Sequence, residues 1–80
     1  MIQQQEVEII KAIAEALGLA PAEMDRNASL RDDLALGPLD LNDIIESMQR
    51  RFRITFEPED ITNVRTVNDL IILVEDNLIA

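Results

Sequence analysis

The stretch Asp33-Leu34-Ala35-Leu36-Gly37-Pro38-Leu39-Asp40, with the segment that continues to Phe52, decides the fold of this chain. Beyond Leu39 the apolar residues fall at Leu41, Ile44, Ile45, Met48 and Phe52. Spacings of three and four place them on one side of a helix. Gly37-Pro38 supplies the start. Glycine is tolerated at the N-cap, proline fits the first helical turn, and a carboxylate at Asp40 favours the positive helix end. Taken alone, these residues specify an amphipathic helix with a strong start signal and nothing more.

The rest of the chain resolves into three further helical segments. From about Ile2 to Leu17, Val7, Ile10, Ala14 and Leu17 form a stripe that Ile9 and Ile13 widen, and Gly18 is placed to close the helix in a left-handed cap. Pro21 opens a short turn. Between Asp25 and Gly37 the sequence predicts a long ordered loop pinned by Leu30 and Leu34, with a helical turn near Arg31 to Leu34 and Ser29 as a cap or turn residue. Arg53-Ile54-Thr55-Phe56 is β-like by composition but has no visible partner, so it reads as an extended connector with Ile54 and Phe56 turned inward. Glu57-Pro58-Glu59-Asp60 starts a short third helix that buries Ile61 and Val64. Thr66-Val67-Asn68-Asp69 resembles a capping box, with Asp69 in place of the more usual glutamate. The helix it opens runs to about Leu78. Its stripe is Val67, Leu70, Ile71, Val74 and Leu78, and Ile72 and Leu73 make it apolar over a wider arc. Burial on two sides explains that arc; a lipid-lined groove is the alternative. The expected core is Ile10, Leu17, Leu34, Ile45, Met48, Phe52, Val67, Leu70 and Val74.

Composition limits the functions open to such a bundle. Eighty residues make one domain, 1–80, burying little more than ~60% of its unfolded surface. With only Phe52 and Phe56 as aromatics, the core must be aliphatic. The net charge of −9, sixteen acids against seven bases, disfavours nucleic acid and suits basic protein surfaces. No run approaches the ~20 apolar residues of a membrane span, and no basic n-region or signal-length apolar stretch opens the chain. Together with the absence of cysteine this fits a cytoplasmic protein, with a monomer as the simplest assembly.

Catalytic chemistry is poorly provided for. The chain has no histidine, cysteine, tyrosine or tryptophan, and one lysine, Lys11. The usual near-neutral general base and the strongest nucleophile are therefore missing. Asp40, Asp43 and Glu46 are spaced to share a helix face, but without histidine or a calcium-loop pattern they read as a solvated face rather than a metal site. Two glycines, Gly18 and Gly37, cannot build a phosphate loop. No enzyme and no metal are expected.

The same stretch resembles the acyl carrier protein family, small four-helix proteins that hold acyl chains on a 4′-phosphopantetheine arm. Asp33-Leu34, Leu39-Asp40 and Arg50-Arg51-Phe52 fall in step with the family pattern, as do Leu17-Gly18-Leu19 and Asn27-Ala28-Ser29-Leu30. The resemblance spans nearly the whole chain. It implies an all-α four-helix bundle with a long first loop and a short third helix. Counted back from Phe52, the family's carrier serine falls on Pro38 and the acid before it on Gly37. Proline has no nucleophilic atom, so no phosphopantetheine is expected here. Ser29 matches a structural serine of the family, and Ser47 lies ~2.5 turns into the second helix.

The family's partner-binding face maps to Leu39, Asn42 and Glu46 for its apolar positions. Its acidic positions map to Gly37, Asp40, Asp43, Gln49 and Arg50. Leucine and two aspartates are kept, and the helix ends in a basic group of Arg50, Arg51 and Arg53. These arginines alter the rim charge that governs partner choice, or else simply suit the negative helix C-terminus. The resemblance thus implies a carrier-like module working through Leu39, Asp40, Asn42, Asp43, Glu46 and Arg50, with protein partners in or near fatty-acid or polyketide metabolism. Two alternatives stay open: an acyl carrier protein whose serine was lost by mutation or engineering, and an acidic helical adaptor unrelated to acyl chemistry.

Overall fold

A computed structural model describes residues 4–79. The order is α1 Gln4–Leu17, a 3₁₀ turn Pro21–Glu23, α2 Pro38–Phe52, α3 Pro58–Thr62 and α4 Val67–Ile79. Residues 2 and 3, where the first helix was expected to begin, lie outside the described residues. This is the all-α bundle with a long first loop and a short third helix that the sequence predicts.

Each boundary has a local cause. Gly18 takes a left-handed φ of 74°, and the Leu19 N–H reaches back to the Ala14 carbonyl (2.9 Å), closing α1 as a Schellman motif. At the start of α2 the Gly37 N–H donates to Asp40 Oδ2 (3.1 Å), half of a capping box; glycine has no side chain to supply the other half. Arg53 ends α2 in the left-handed region (φ 56°), with the Ile54 N–H on the Gln49 carbonyl (3.1 Å). The predicted box at α4 is complete: the Asp69 N–H donates to Thr66 Oγ1, and the Thr66 N–H to Asp69 Oδ2, each at 3.1 Å. Ser29 is a cap, as expected. Its Oγ accepts from the Asp32 N–H (3.0 Å), while its own N–H donates to Asp33 Oδ2 (2.7 Å). The helical turn expected near Arg31 to Leu34 is a hydrogen-bonded turn, with the Asp33 and Leu34 N–H groups on the Ser29 carbonyl, and does not extend into a helix.

Helix α1 packs on both α2 and α4. That double contact corrects its expected stripe. Ile9, Ala12, Ile13 and Ala14 are fully buried, whereas Val7, Ile10 and Leu17 are only half-buried. The buried arc is centred on Ile13 because two neighbours, rather than one, must be covered. Of the expected core, Ile45, Met48, Val67, Leu70 and Val74 are buried. Leu34 and Phe52 join Ile10 and Leu17 at the half-buried margin; Leu34 lies in the loop and Leu17 and Phe52 at helix ends, where packing comes from one side, while Ile10 lies at the edge of the buried arc of α1. Phe56 and Val64 are buried, and Ile54 and Ile61 half-buried. In α4, Leu73 is half-buried but Ile72 is 45% exposed, so the wide apolar arc is not buried throughout.

One tie was not anticipated. The loop runs antiparallel to the segment before α4, with a Ser29–Thr66 bridge, the Leu30 N–H on the Arg65 carbonyl (2.9 Å) and the Val67 N–H on the Ala28 carbonyl (3.1 Å). Arg26 reinforces it by bonding Glu6 of α1 (2.7 Å) and Asn68 Oδ1 of α4 (3.1 and 3.3 Å). Thus the long loop is anchored at both ends: its early part on α4, its late part through Pro38 into α2.

Candidate functional site

The first turn of α2 emerges from this anchored loop. Pro38, its first residue, is exposed, and so are Leu39, Asp40, Asn42, Asp43, Glu46 and Arg50. The structure therefore brings together on one helix every residue that the sequence assigns to partner binding. Leu39 is 78% exposed, the largest exposure among the bulky apolar residues described. An isolated exposed leucine has an ordinary explanation, since many apolar atoms remain on any protein surface. Here its neighbours add to the observation. At 100° per residue, Leu39, Asp43, Glu46 and Arg50 fall within one narrow stripe spanning ~16 Å of the helix. That stripe reads apolar, acidic, acidic, basic.

Two residues named with this face have other duties. The Gln49 side chain accepts the Phe56 N–H at Oε1 (3.0 Å) and so fixes the connector that brings Phe56 into the core. Arg51 pairs with Glu15 of α1 (3.2 Å) across the ends of the two helices. Asp40 is partly engaged by the Gly37 N–H. Arg50 and Arg53 make no ion pair among the described residues, and Glu46 and Arg50, one turn apart, do not pair with each other.

On the other side of Pro38 a groove of about 900 Å³ opens between the loop, the start of α2 and α3. Its walls include Leu30, Leu36, Leu41, Ile61 and Val64, and its rim carries Arg31, Asp32 and Arg65. The sequence reading missed it, because Leu36 in the loop, Ile61 in α3 and Leu41 in α2 come from separate segments that meet only in the folded chain. The one local signal was the cap at Thr66, which fixes Arg65 beside the loop.

The remaining hydroxyls are all placed for structure or away from the turn. Ser29 Oγ caps the loop, Thr66 Oγ1 caps α4, and Thr62 Oγ1 donates to the Glu59 carbonyl (2.7 Å). Ser47 sits half-buried in the body of α2, and Thr55 lies exposed in the connector after the far end of that helix. A phosphodiester link to a phosphopantetheine needs a free hydroxyl oxygen. The turn Gly37 to Leu41 contains none.

Fold and site together define a small helical bundle of carrier type, with its second helix entered through an anchored loop. The phosphopantetheine attachment site family matches residues 7–74. The chain is 32% identical over 69 residues to the acyl carrier protein of Exiguobacterium sibiricum, covering 86% of this chain and 87% of that one. It is 32% identical over 66 residues to that of Chlamydia caviae (82% and 86%) and 33% identical over 63 residues to that of Solidesulfovibrio magneticus (79% and 81%). The chain belongs to the acyl carrier protein family. Acyl carrier proteins are carriers, not enzymes, and this chain is not an enzyme. The family works with acyl-pathway enzymes and normally bears 4′-phosphopantetheine. No described helix is long and apolar enough to cross a membrane.

Proposed function

We propose that this protein is an acyl-carrier-like module that carries no phosphopantetheine arm and acts through protein contacts in or near fatty-acid or polyketide metabolism. The observation that carries the reading is Pro38 at the first position of α2, where counting from Phe52 puts the carrier serine of the family. A transferase needs a hydroxyl oxygen to attack the pyrophosphate of coenzyme A, and proline offers none. The docking face is the exposed surface of α2, with Leu39 as its apolar contact, Asp43 and Glu46 as the acids of its stripe, Asp40 and Asn42 flanking it and Arg50 at its far end. This arrangement supports a partner of mixed charge, because rim charges set encounter rate and partner choice more than raw affinity. A family scaffold on a single domain suits a cytoplasmic monomer that partners visit in turn.

The test is the intact mass of the protein after incubation with coenzyme A and a broad-specificity phosphopantetheinyl transferase. An unchanged mass is expected, beside a control carrier that is fully loaded. A stoichiometric gain of one phosphopantetheine mapped to Ser29 or Ser47 overturns the reading.

A further inference from the structure

We infer that the C-terminal end of α2, where Arg50, Arg51 and Arg53 stand together, docks an acidic segment of a protein partner, a run of aspartates or glutamates whose carboxylates meet the guanidinium groups. Between Glu46 and Glu57 the chain carries no acid, and three of its seven bases fall within residues 50–53. In a chain of net charge −9 this is a local reversal of sign. All three arginines are exposed.

Neither the helix end nor the neighbouring acids use up this charge. A helix C-terminus favours cations because its last carbonyls lack partners. Here a left-handed turn at Arg53 already closes α2, with the Arg53 and Ile54 N–H groups both donating to the Gln49 carbonyl. Arg50 and Arg53 make neither an ion pair nor a side-chain hydrogen bond among the described residues. Arg51 alone has a partner, Glu15 of α1 at 3.2 Å, and both side chains of that pair stand open to water (44% and 73% exposed). An exposed pair of this kind is weak, so Arg51 can exchange Glu15 for an incoming carboxylate.

Shape and charge select the occupant. The planar fork of arginine offers several donors to the two oxygens of a carboxylate at once. An anionic lipid surface is the poorer fit. A flat surface reaching Arg50 would also meet Asp43 and Glu46 on the same stripe. Nor is there a bulky apolar side chain beside the arginines to insert. Among the described residues, the two exposed ones are Leu39, ~16 Å away along α2, and Ile72 on α4. A narrow acidic segment instead touches the arginines and leaves the acids in water. The inference deepens the docking face proposed above by naming what meets its Arg50 end. It rests on that reading for the partner, which carries carboxylates ~16 Å from its contact with Leu39, but not for the missing arm.

The experiment titrates the full chain at low salt with hexaglutamate and, as a control, hexaserine, following backbone amide shifts by NMR. Hexaglutamate should shift the amides of Arg50, Arg51, Arg53 and Ile54, and hexaserine should not. Added salt should weaken the binding, as it does any exposed charge contact. The variant Arg50→Gln/Arg53→Gln should raise the hexaglutamate Kd about fivefold, the worth of two exposed charge pairs. Arg31→Gln/Arg65→Gln removes the same charge elsewhere and should change it by less than about twofold. All four positions are exposed, and circular dichroism checks that both variants fold. Shifts centred elsewhere, no preference over hexaserine, or equal loss in the two double variants overturn the proposal. So does tighter binding to phosphatidylserine vesicles than to hexaglutamate, which makes the ligand a lipid surface. Concentration-dependent shifts of the same amides without peptide overturn it too, because the occupant is then a second copy of the chain. The intact-mass measurement on the same preparation keeps the two readings apart. A loaded protein that still binds hexaglutamate through Arg50 and Arg53 defeats only the missing arm; an unmodified protein that does not bind it defeats only the acidic segment.

Discussion

At the scale of single residues, Asp69 has the most to do. Its Oδ2 accepts N–H groups from Arg65 and Thr66 (3.1 Å each), while Thr66 Oγ1 receives the Asp69 N–H in return. The Arg65 backbone bond is the largest cause of a pKa lowered from 3.8; the bonds from Thr66 and the charge of Arg65 add to it, against a smaller opposing effect of burial. A carboxyl group with a depressed folded pKa contributes stability above its unfolded value, and that contribution is lost as pH falls through the folded value. Asp69→Ala should therefore cost ~1 kcal/mol at neutral pH, the usual worth of a lost cap. The gap to the parent should stay constant down to about pH 4 and close in stronger acid. Urea melts of both proteins across that range check it. A gap that widens on acidification would contradict the assignment. Arg53 and Ala35 work differently, holding left-handed backbone (φ 56° and 54°) at a cost that non-glycine residues bear without a compensating side-chain bond in the case of Arg53, whose αL turn closes α2.

Among the elements, α1 shows how packing overrides a pattern read from one segment. Ile9 and Ile13 are wholly buried because α1 touches α2 and α4 together, while Phe52 sits at the end of α2 with one flank open. Ile13→Ala should then cost ~2–5 kcal/mol, the range for a buried isoleucine. Phe52→Ala, which full burial would place at ~3–5 kcal/mol, should lose only about half of that. In a domain with ~4–12 kcal/mol in total, either is a large fraction. Denaturant midpoints of the two variants decide the order, and a Phe52→Ala variant clearly less stable than Ile13→Ala would show that α2 turns further inward than described. The same contrast marks what could be read from the sequence. The starts of α2, α3 and α4 were legible because each has a chemical cue within four residues: Gly37-Pro38, Glu57-Pro58, and Thr66 with Asp69. The aliphatic stripes of α2 and α4 were legible from their period. Three things were not. The centre of the α1 arc depends on how many helices surround it. The Ser29–Thr66 tie joins residues far apart in sequence, and neither carries a strand-like pattern. The groove exists only where three such segments meet. Leu39, Asp43, Glu46 and Arg50 were legible as one face, since a single helix fixes their arrangement, whereas the duties of Gln49 and Arg51 required knowing what stands opposite them.

For the whole molecule the question is whether a carrier can be rebuilt on the proposed register, with Pro38 at the carrier position. The scaffold retains the anchored loop, the helix start and an exposed first turn, so Gly37→Asp with Pro38→Ser should fold. Gly37 has an ordinary negative φ of −81°, and an added Cβ meets nothing nearer than Asp40 Oδ2 at 3.7 Å. Aspartate is also a better N-cap than glycine. Losing Pro38 gives up ~0.4–1 kcal/mol of chain rigidity, a loss that a first-turn serine does not compound, since the first N–H groups of a helix have no intrahelical partner in any case. The double variant should accept phosphopantetheine slowly, because Asn42, Glu46 and Arg50 still present the altered face. Adding Glu46→Met and Arg50→Glu should raise the rate, the first by enlarging the apolar contact around Leu39 and the second by restoring acidic rim charge. Both positions are exposed, so neither change disturbs the core. The gain from Arg50→Glu should shrink as salt is raised, since exposed charges are screened within ~10 Å at 0.1 M ionic strength. A gain from Glu46→Met should persist, being apolar in origin. Intact mass against time, at low and high salt, measures all of this. If the fourfold variant folds and stays unloaded beside a fully loaded control carrier, Pro38 does not stand at the carrier position, and the reading built on it falls.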